Sequence, residues 1–506
     1  MAAALILLLR HKILLLVAAA VFSVLGDAEG TQSNIVLVLT DDQDQVLGSM
    51  APLVKTRKLI QEQGVSFDNM FVASPLCCPS RASILTGMYV HNHKTLNNSV
   101  NGNCASKNWQ QGPEKQTFNT YLKELGYKTY YAGKYLNKYG MSATGGTQYV
   151  PPGWDSWLGL VGNSKYYNYT VSVNGKAEKH GGDYKEDYFT DVITRSAVSF
   201  LEEQSSSKQP FFIMLATPAC HGPFTPAPQY NNSFNKTTAP RTQSYNKPGG
   251  KSKHWLLRST PSPMSASSVA YSDDVFRNRW RTLLSVDDLV EQVVVTLDKH
   301  KHLSNTYIIF TSDNGYHHGQ FSLPIDKRQL YEFDIRVPLL VRGPGIPSNK
   351  SLTNPVVSID LAPTVIELAG GKAPSSMDGR SLLPLLVRCT KPVEWRSDFL
   401  VEHLGEGHGS IDGCPALDPG MADCTPNCVC EDSWNNTYSC VRTLTTSRDF
   451  MFCEFRDSEA FVEFYDLNKD PAQLNNMVET ADHKELLAQQ KRLETLTFCS
   501  GDSCRK

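Results

Sequence analysis

The 506-residue chain has no excess of charge of either sign. Its 49 Lys and Arg stand against 51 Asp and Glu, a formal net charge of −2. A basic field able to hold nucleic acid or a long polyanion by bulk electrostatics is therefore missing, and any anion must be gripped by a few placed cations. No stretch reaches the roughly 20 consecutive apolar residues that a membrane span needs. There is no internal repeat and no low-complexity tail, which excludes a solenoid or a long disordered arm.

What is present indicates a large globular protein of the secretory route. The length can bury a large core and suggests one big domain with a smaller one. Arg10, His11 and Lys12 precede an apolar run from Ile13 to Val21, and small residues follow around Gly26 and Ala28. That pattern reads as a signal peptide over residues 1–28, with a mature start near Asp27 to Thr31; a signal anchor is the alternative. Asn97, Asn168, Asn231, Asn235, Asn349 and Asn435 each open an N-x-S/T sequon, which together suggest a glycoprotein. Of 13 cysteines, eight cluster late: Cys414, Cys424, Cys428, Cys430, Cys440, Cys453, Cys499 and Cys504. In an oxidising compartment the cluster reads as disulfides. A zinc site at Cys424, Cys428 and Cys430 competes, but the spacing matches no paired C-x-x-C pattern. The odd total leaves at least one cysteine for another use.

Short β-branched runs alternate with helical patterns from residue 34 to about 370. Asn34 to Leu39, Phe211 to Ala216, Tyr307 to Thr311 and Val337 to Val341 read as buried strands. Leu53 to Gln63, Phe118 to Leu125, Tyr188 to Glu203 and Trp280 to Lys299 read as helices. Such alternation predicts an α/β fold with a large mixed, mostly parallel sheet flanked by helices. Residues 231 to 272, rich in Asn, Ser, Thr, Pro, Lys and Gly, read as a surface insertion. From about residue 391, cysteines, turns and strand-like runs (Tyr438 to Leu444, Ala460 to Tyr465) precede a helix near Lys484 to Leu496. The predicted organisation is a large domain over 29–390 and a smaller disulfide-rich α+β domain over 391–506, with an antiparallel sheet.

Ligands of open α/β sheets bind outside the carboxyl ends of the strands. Asp41 and Asp42 follow the first predicted strand, Thr217, Pro218 and His221 the strand at 211, and Asp313 and Asn314 the strand at 307. The two acidic pairs offer only oxygen ligands, which suit a hard divalent cation, calcium or magnesium. One pair alone would read as a helix cap or turn; two at equivalent strand ends favour a metal. The segment Ser74 to Gly87, SPLCCPSRASILTG, carries the pattern C-x-P-S-R at Cys77, Cys78, Pro79, Ser80 and Arg81. A chance match in a chain this long is on the order of one in several hundred. Pro79 suits a first helical turn, so Cys77 falls at a helix N-terminus, where free N–H groups favour an anion. Arg81, four residues on, projects to the same face. A half-disulfide followed by an ordinary helix fits Cys78 better than Cys77.

This pattern resembles the signature of the type I sulfatases of the alkaline phosphatase superfamily. The resemblance implies that Cys77, not Cys78, is oxidised to formylglycine by a formylglycine-generating enzyme during maturation. It also implies one calcium ion held by Asp41, Asp42, the modified Cys77, Asp313 and Asn314. The stretches RWRTLLSVDDLVEQVV, TSDNGYHHGQFSLPIDKRQLYEFDIRVPLLVRGPGI and NCVCEDSWNNTYSCVRT are most similar to the lysosomal branch that removes the 6-sulfate of N-acetylglucosamine in heparan sulfate and keratan sulfate. Extracellular 6-O-endosulfatases are similar too, but carry a long basic insertion that this chain lacks.

In the family's chemistry, formylglycine hydrates to a geminal diol. One hydroxyl attacks sulfur and displaces the sugar alcohol; the other then loses its proton and expels sulfate. A serine or an unmodified thiol has no second hydroxyl for that last step. By resemblance Arg81, Lys134 (in AGKYLNKYG) and Lys327 (in PIDKRQLYEFD) supply fixed cations. His221 (in ATPACHGPF) is the general acid for a poor leaving group. His317 (in DNGYHHG) faces the sulfate or sugar, and His318 is open as a bystander. Many arylsulfatases have a histidine two residues after the first active-site lysine; here that position is Leu136, with Asn137, His91 or His93 as substitutes. The implied partners are a sulfated glycosaminoglycan and the maturation enzyme, without nucleic acid or membrane; a homodimer is left open. A two-metal phosphatase on the same scaffold and a catalytically silent glycan-binding glycoprotein are the competing readings.

Overall fold

The computed structural model describes residues 32–387, 393–406 and 429–506. The predicted signal peptide, the 390–391 boundary and Cys414, Cys424 and Cys428 lie outside them. In chain order the described strands are β1 (Asn34–Thr40), β2 (Val65–Phe67), β3 (Met70–Phe71), β4 (Lys128–Lys134), β5 (Ser156–Leu160), β6 (Thr170–Val173), β7 (Lys176–Lys179) and β8 (Phe211–Ala216). Then come β9 (Thr306–Ser312), β10 (Leu339–Arg342), β11 (Lys350–Leu352), β12 (Val356–Val357), β13 (Asp398–His403), β14 (Tyr438–Leu444), β15 (Asp449–Phe455) and β16 (Val462–Asp466).

Ten strands form one sheet in the order β11-β2-β10-β9-β1-β8-β4-β5-β6-β7. Its middle, β9-β1-β8-β4-β5, is parallel throughout, whereas β10 and β6 join it antiparallel. Every residue of β1, NIVLVLT, is buried, as a central strand covered on both faces requires. Its side chains alternate between two cores. Val36 and Val38 belong to one core, with Ile193 and Phe200 of the helix Phe189–Glu203 and Leu283 and Leu289 of the helix Ala266–Lys299. Ile35, Leu37 and Leu39 belong to the other core, with Ile84 of the helix Cys77–Thr86 and Ile366 of the helix Leu361–Leu368. This is the predicted mixed, mostly parallel α/β sheet. The strand β4 was not predicted: its run KTYYAGK carries Tyr and Lys rather than aliphatics, yet six of its seven residues are buried.

The helix expected from Trp280 begins at Ala266, with the Ser265 hydroxyl accepting from Ser268 N. The first turns, rich in Ser and Asp, hide the apolar period, but Val275 and Phe276 are buried. The insertion is therefore shorter than predicted, and it is not merely a surface loop. Lys253 Nζ donates to Tyr465 Oη at 2.5 Å and sits 4.3–4.4 Å from the ring centres of Phe321, Tyr331 and Tyr465. His254 stacks on Phe455 at 3.8 Å and bonds Asp457 at 2.8 Å. The insertion thus clasps the C-terminal unit.

That unit is an antiparallel sheet, β13-β14-β15-β16, backed by the helix His483–Thr497. The disulfide Cys440–Cys453 joins directly paired residues of β14 and β15, and Cys499–Cys504 closes the last loop. Cys430 is also disulfide-bonded. One core runs through both units, with Phe71 and Phe399 rings 4.8 Å apart. Among the sequon residues, Asn168, Asn231, Asn235 and Asn349 are exposed and Asn435 is half-buried. Asn97 is buried, its Oδ1 accepting from Ser99 N and Oγ at 3.0 and 2.7 Å. No described helix is long and apolar enough to cross a membrane.

Candidate active site

Because the central strands are parallel, their carboxyl ends share one edge. The register pairs Thr40 with Ser312, so Asp41 and Asp42 stand beside Asp313 and Asn314. Lys134 ends β4, and the loop after β8 carries His221. The helix Cys77–Thr86 points its N-terminus at this edge, with extended Leu76 as its cap and Gly87 at φ 68° closing its far end. Cys77 Sγ lies 3.8 Å from Asp41 Oδ1 and 3.9 Å from Asp42 Oδ1. Its neighbour Cys78 is bonded to Cys104, so the two adjacent cysteines divide as the sequence suggests. Burial pushes the Cys77 thiol up to about 12 against the pull of Lys134 and Lys327.

Each cation is aimed. Arg81 Nε donates to Asp313 Oδ2 at 2.8 Å, Nη1 to the Lys134 carbonyl at 2.7 Å, and Nη2 lies 3.5 Å from Asp41 Oδ1. Lys134 Nζ is 2.8 Å from Asp41 Oδ2, and Lys327 Nζ is 2.8 Å from Asp42 Oδ2. Burial would raise the Asp41 carboxyl, yet Lys134, His221 and Arg81 hold it well below the usual carboxylate range. His221 gives its Nδ1 to the Gly222 carbonyl at 2.8 Å, which turns Nε2 towards Asp42 Oδ2, 3.8 Å away. Burial and the nearby Lys327 lower its pKa.

The donor set fits a hard cation. Ligand atoms of Asp41, Asp42, Cys77 and His221 lie within 4.8 Å of one another. Asn314 Nδ2 donates to Asp42 Oδ1 at 2.8 Å, while its Oδ1 is buried without a hydrogen-bond partner. An orphaned amide oxygen beside buried carboxylates is the arrangement a calcium or magnesium ion satisfies. Asp313 is more committed: its Oδ1 accepts from the backbone of Asp42 and Asn314 at 2.9 and 2.8 Å, and its Oδ2 from Arg81.

Above the cluster opens a cavity of about 330 Å³, lined among others by Asp42, Asn98, Asn137, His221 and Lys327. A larger groove, about 660 Å³, runs beside the C-terminal helix and lacks any such cluster. His317 does not face the cavity. Its Nδ1 meets Asp334 Oδ1 at 3.0 Å and its Nε2 meets Glu431 Oε1 at 3.2 Å. Burial opposes charge on that ring, but the two carboxylates prevail and raise it to about 10; it is a buried ion pair. His318 is packed against Tyr316 and Phe276. Of the substitutes for the position of Leu136, His91 bonds Glu402 and the Cys499 carbonyl, and His93 bonds Ser83. Only Asn137 of the three lines the cavity. Sequence reasoning missed Ser164, whose hydroxyl donates to Asp41 Oδ2, and Asn98, whose Oδ1 accepts from Cys78 N at 2.9 Å. Neither carries a sequence signal, since both lie in loops between elements.

The sulfatase family model matches residues 33–371. The chain belongs to the sulfatase family. This sulfatase is thus a sulfuric ester hydrolase. It is 54% identical over 497 residues to the N-acetylglucosamine-6-sulfatase of Homo sapiens, covering 97% of this chain and 90% of that one. It is 44% identical over 384 residues to the extracellular sulfatase SULF-1 homolog of Drosophila melanogaster, covering 75% of this chain but 34% of that protein. A solved structure in complex with its substrate D-glucosamine-2-N,6-O-disulfate superposes with TM-score 0.72 at 24% identity, over 92% of this chain and 97% of that one. A phosphonate monoester hydrolase from Silicibacter pomeroyi superposes at 0.68 and 20% identity, over 91% of this sulfatase and 94% of that chain. The fold is therefore shared beyond sulfate esters, and the chemistry rests on the site.

Proposed function

We propose that this sulfatase hydrolyses the 6-sulfate ester of N-acetylglucosamine 6-sulfate residues in heparan sulfate and keratan sulfate, in the lysosome. The observation that carries the reading is the closed cluster around Cys77: two carboxylates within 4 Å of its sulfur and two lysines paired to them at 2.8 Å. The identity to relatives named N-acetylglucosamine-6-sulfatase supports the sugar and the position of the ester.

Asp41, Asp42 and Asn314 would hold a calcium ion, with Asp313 bracing them. When bound, that ion and the formylglycine made from Cys77 supply an activated geminal diol as nucleophile. The chain's own residues do the rest. Lys134 and Lys327 stabilise charge growing on the sulfuryl oxygens, and their burial makes them worth more than solvated cations. Arg81 fixes the helix N-terminus to β4 and to Asp313. His221, its Nδ1 held by Gly222, presents Nε2 to protonate the departing sugar oxygen, a role an acidic compartment favours.

The test has two parts. Mass spectrometry of the Cys77 peptide from active enzyme is expected to show an aldehyde; an intact thiol would refute the nucleophile. A panel of sulfated monosaccharides and short heparan or keratan fragments is expected to show sulfate release from N-acetylglucosamine 6-sulfate at acidic pH. Cleavage within fragments but not at their ends would move the assignment to an endosulfatase.

A further inference from the structure

The cavity carries a cation that the sulfate-holding cluster does not use. Lys138 lies in the turn after β4, closed by Tyr139 N donating to the Leu136 carbonyl at 2.9 Å. Its own carbonyl accepts from Thr144 Oγ1 at 2.7 Å, so the backbone at its root is fixed. The side chain is half-buried and lines the cavity. The other cations of this wall are spent. Lys327 is paired with Asp42, and Arg328 with Asp326 at 2.6 Å, Glu406 at 2.8 Å and Asp432 at 2.6 Å. Among the described residues Lys138 has neither a hydrogen bond nor an ion pair through its ammonium. Beside it, Asn137 also lines the cavity; its Oδ1 is buried and has no partner, while its Nδ2 reaches only Asn163 Oδ1, at 3.4 Å.

An unpaired cation in a concave site, next to an unsatisfied amide acceptor, is incomplete without a ligand. The chain's near-zero net charge makes a single placed cation count, because no general field duplicates it. We propose that Lys138 is a specificity-determining residue that binds a second anionic group of the substrate, distinct from the ester sulfate. The inference rests on the sulfatase reading above and deepens it: the preferred substrate is a doubly charged sugar end rather than a singly sulfated monosaccharide. The second anion is either a sulfamate on the same sugar or the carboxylate of an adjoining uronate.

Steady-state kinetics of the full chain test this with three substrates. They are N-acetylglucosamine 6-sulfate, glucosamine 2-N,6-O-disulfate and a disaccharide joining 6-sulfated glucosamine to a uronic acid. The wild type is expected to favour one doubly charged substrate over the first by about three- to tenfold in kcat/KM, mostly through KM. The preferred one identifies the anion. Lys138→Gln is expected to erase the preference while leaving the singly sulfated sugar within about twofold, and Lys138→Arg to restore most of it. Added salt is expected to shrink the preference in the wild type only. No preference in the wild type, or an equal loss on all three substrates in Lys138→Gln, would overturn the role of Lys138. Failure to cleave any of the three would overturn the functional reading instead. The same affinity ratio, measured calorimetrically on the Cys77→Ser variant, then decides for or against Lys138 without turnover.

Discussion

Arg279 Nη2 donates to the backbone carbonyl of Asp42 at 2.6 Å, from the middle of the helix Ala266–Lys299. Asp42 has φ 64°, a left-handed conformation that aspartate tolerates but does not favour. Two bonds pin it: Arg279 on its carbonyl and Asp313 Oδ1 on its N–H at 2.9 Å. The same guanidinium lies 3.4 Å from the Cys220 carbonyl and 3.4 Å from Asp44 Oδ1, over the Tyr316 ring at 3.9 Å. A helix thus holds both the first acidic pair and the loop that bears His221.

From this follows a positioning role. Arg279→Met is expected to weaken calcium binding about 10- to 100-fold, the usual cost of losing a group that orients a ligand. kcat should fall with it while KM for the sugar changes little. Calcium titration by calorimetry and a kcat against KM comparison check this. A variant with wild-type calcium affinity would contradict the role.

Lys134→Ala and Lys327→Ala are each expected to lower kcat by about 10²- to 10³-fold, since each removes a buried charge aimed at developing negative charge. Both should also destabilise the fold, because each takes the nearest counter-ion from a buried aspartate. Thermal melts beside kinetics separate the two effects: added calcium is expected to recover the melting temperature but not kcat.

Calcium at about 100 times its dissociation constant is expected to stabilise the wild type by about 2.7 kcal/mol. Asn314→Leu removes the orphaned amide oxygen and should abolish most of that gain. Melting curves with calcium and with chelator read the difference. An unchanged calcium shift in the variant would remove Asn314 from the ligand set.

His91 supplies a pH dependence away from the metal cluster. Its Nδ1 lies 2.9 Å from Glu402 Oε1 and its Nε2 lies 2.8 Å from the Cys499 carbonyl. Both partners are acceptors, so both bonds form only with the imidazolium. Burial works against that charge, but Glu402 prevails and raises the pKa above its ordinary value. A raised folded pKa gives stability that is fully present below about pH 6.5 and is lost as pH climbs through the folded value. The stability that His91 contributes is therefore expected to be larger at acidic than at alkaline pH. His91→Gln should lose about 1 kcal/mol at acidic pH and almost nothing at alkaline pH. Denaturant melts at the two pH values decide it, and a loss of equal size at both would exclude the protonation account.

The functional site was legible to the extent that its residues sit in short local patterns. Cys77 and Arg81 share one helical turn, and Asp41, Asp42, Asp313 and Asn314 each follow a strand whose apolar run marks it. His317 misled because a sequence shows its nearness to Asp313 but not the buried carboxylates of Asp334 and Glu431, the latter more than a hundred residues away. The strand β4 went unread because its buried residues, Thr129 to Lys134, include two tyrosines and a lysine but no branched aliphatic residue. The insertion went half-read because a polar segment can still be buried when partners such as Glu463 and Tyr465 meet it.

By itself the chain's sequence determined the alternation of strands and helices, the helix that starts at Cys77 and the chemistry of the residues at the strand ends. These follow from local periodicity, capping and residue type. Only the tertiary structure decided which charges meet. The parallel register brought Asp41 and Asp42 beside Asp313, and burial set their pairing with Lys134 and Lys327. It also left Asn314 Oδ1 and Lys138 unpaired, because contacts between residues far apart in the chain arise from packing, which no local pattern encodes.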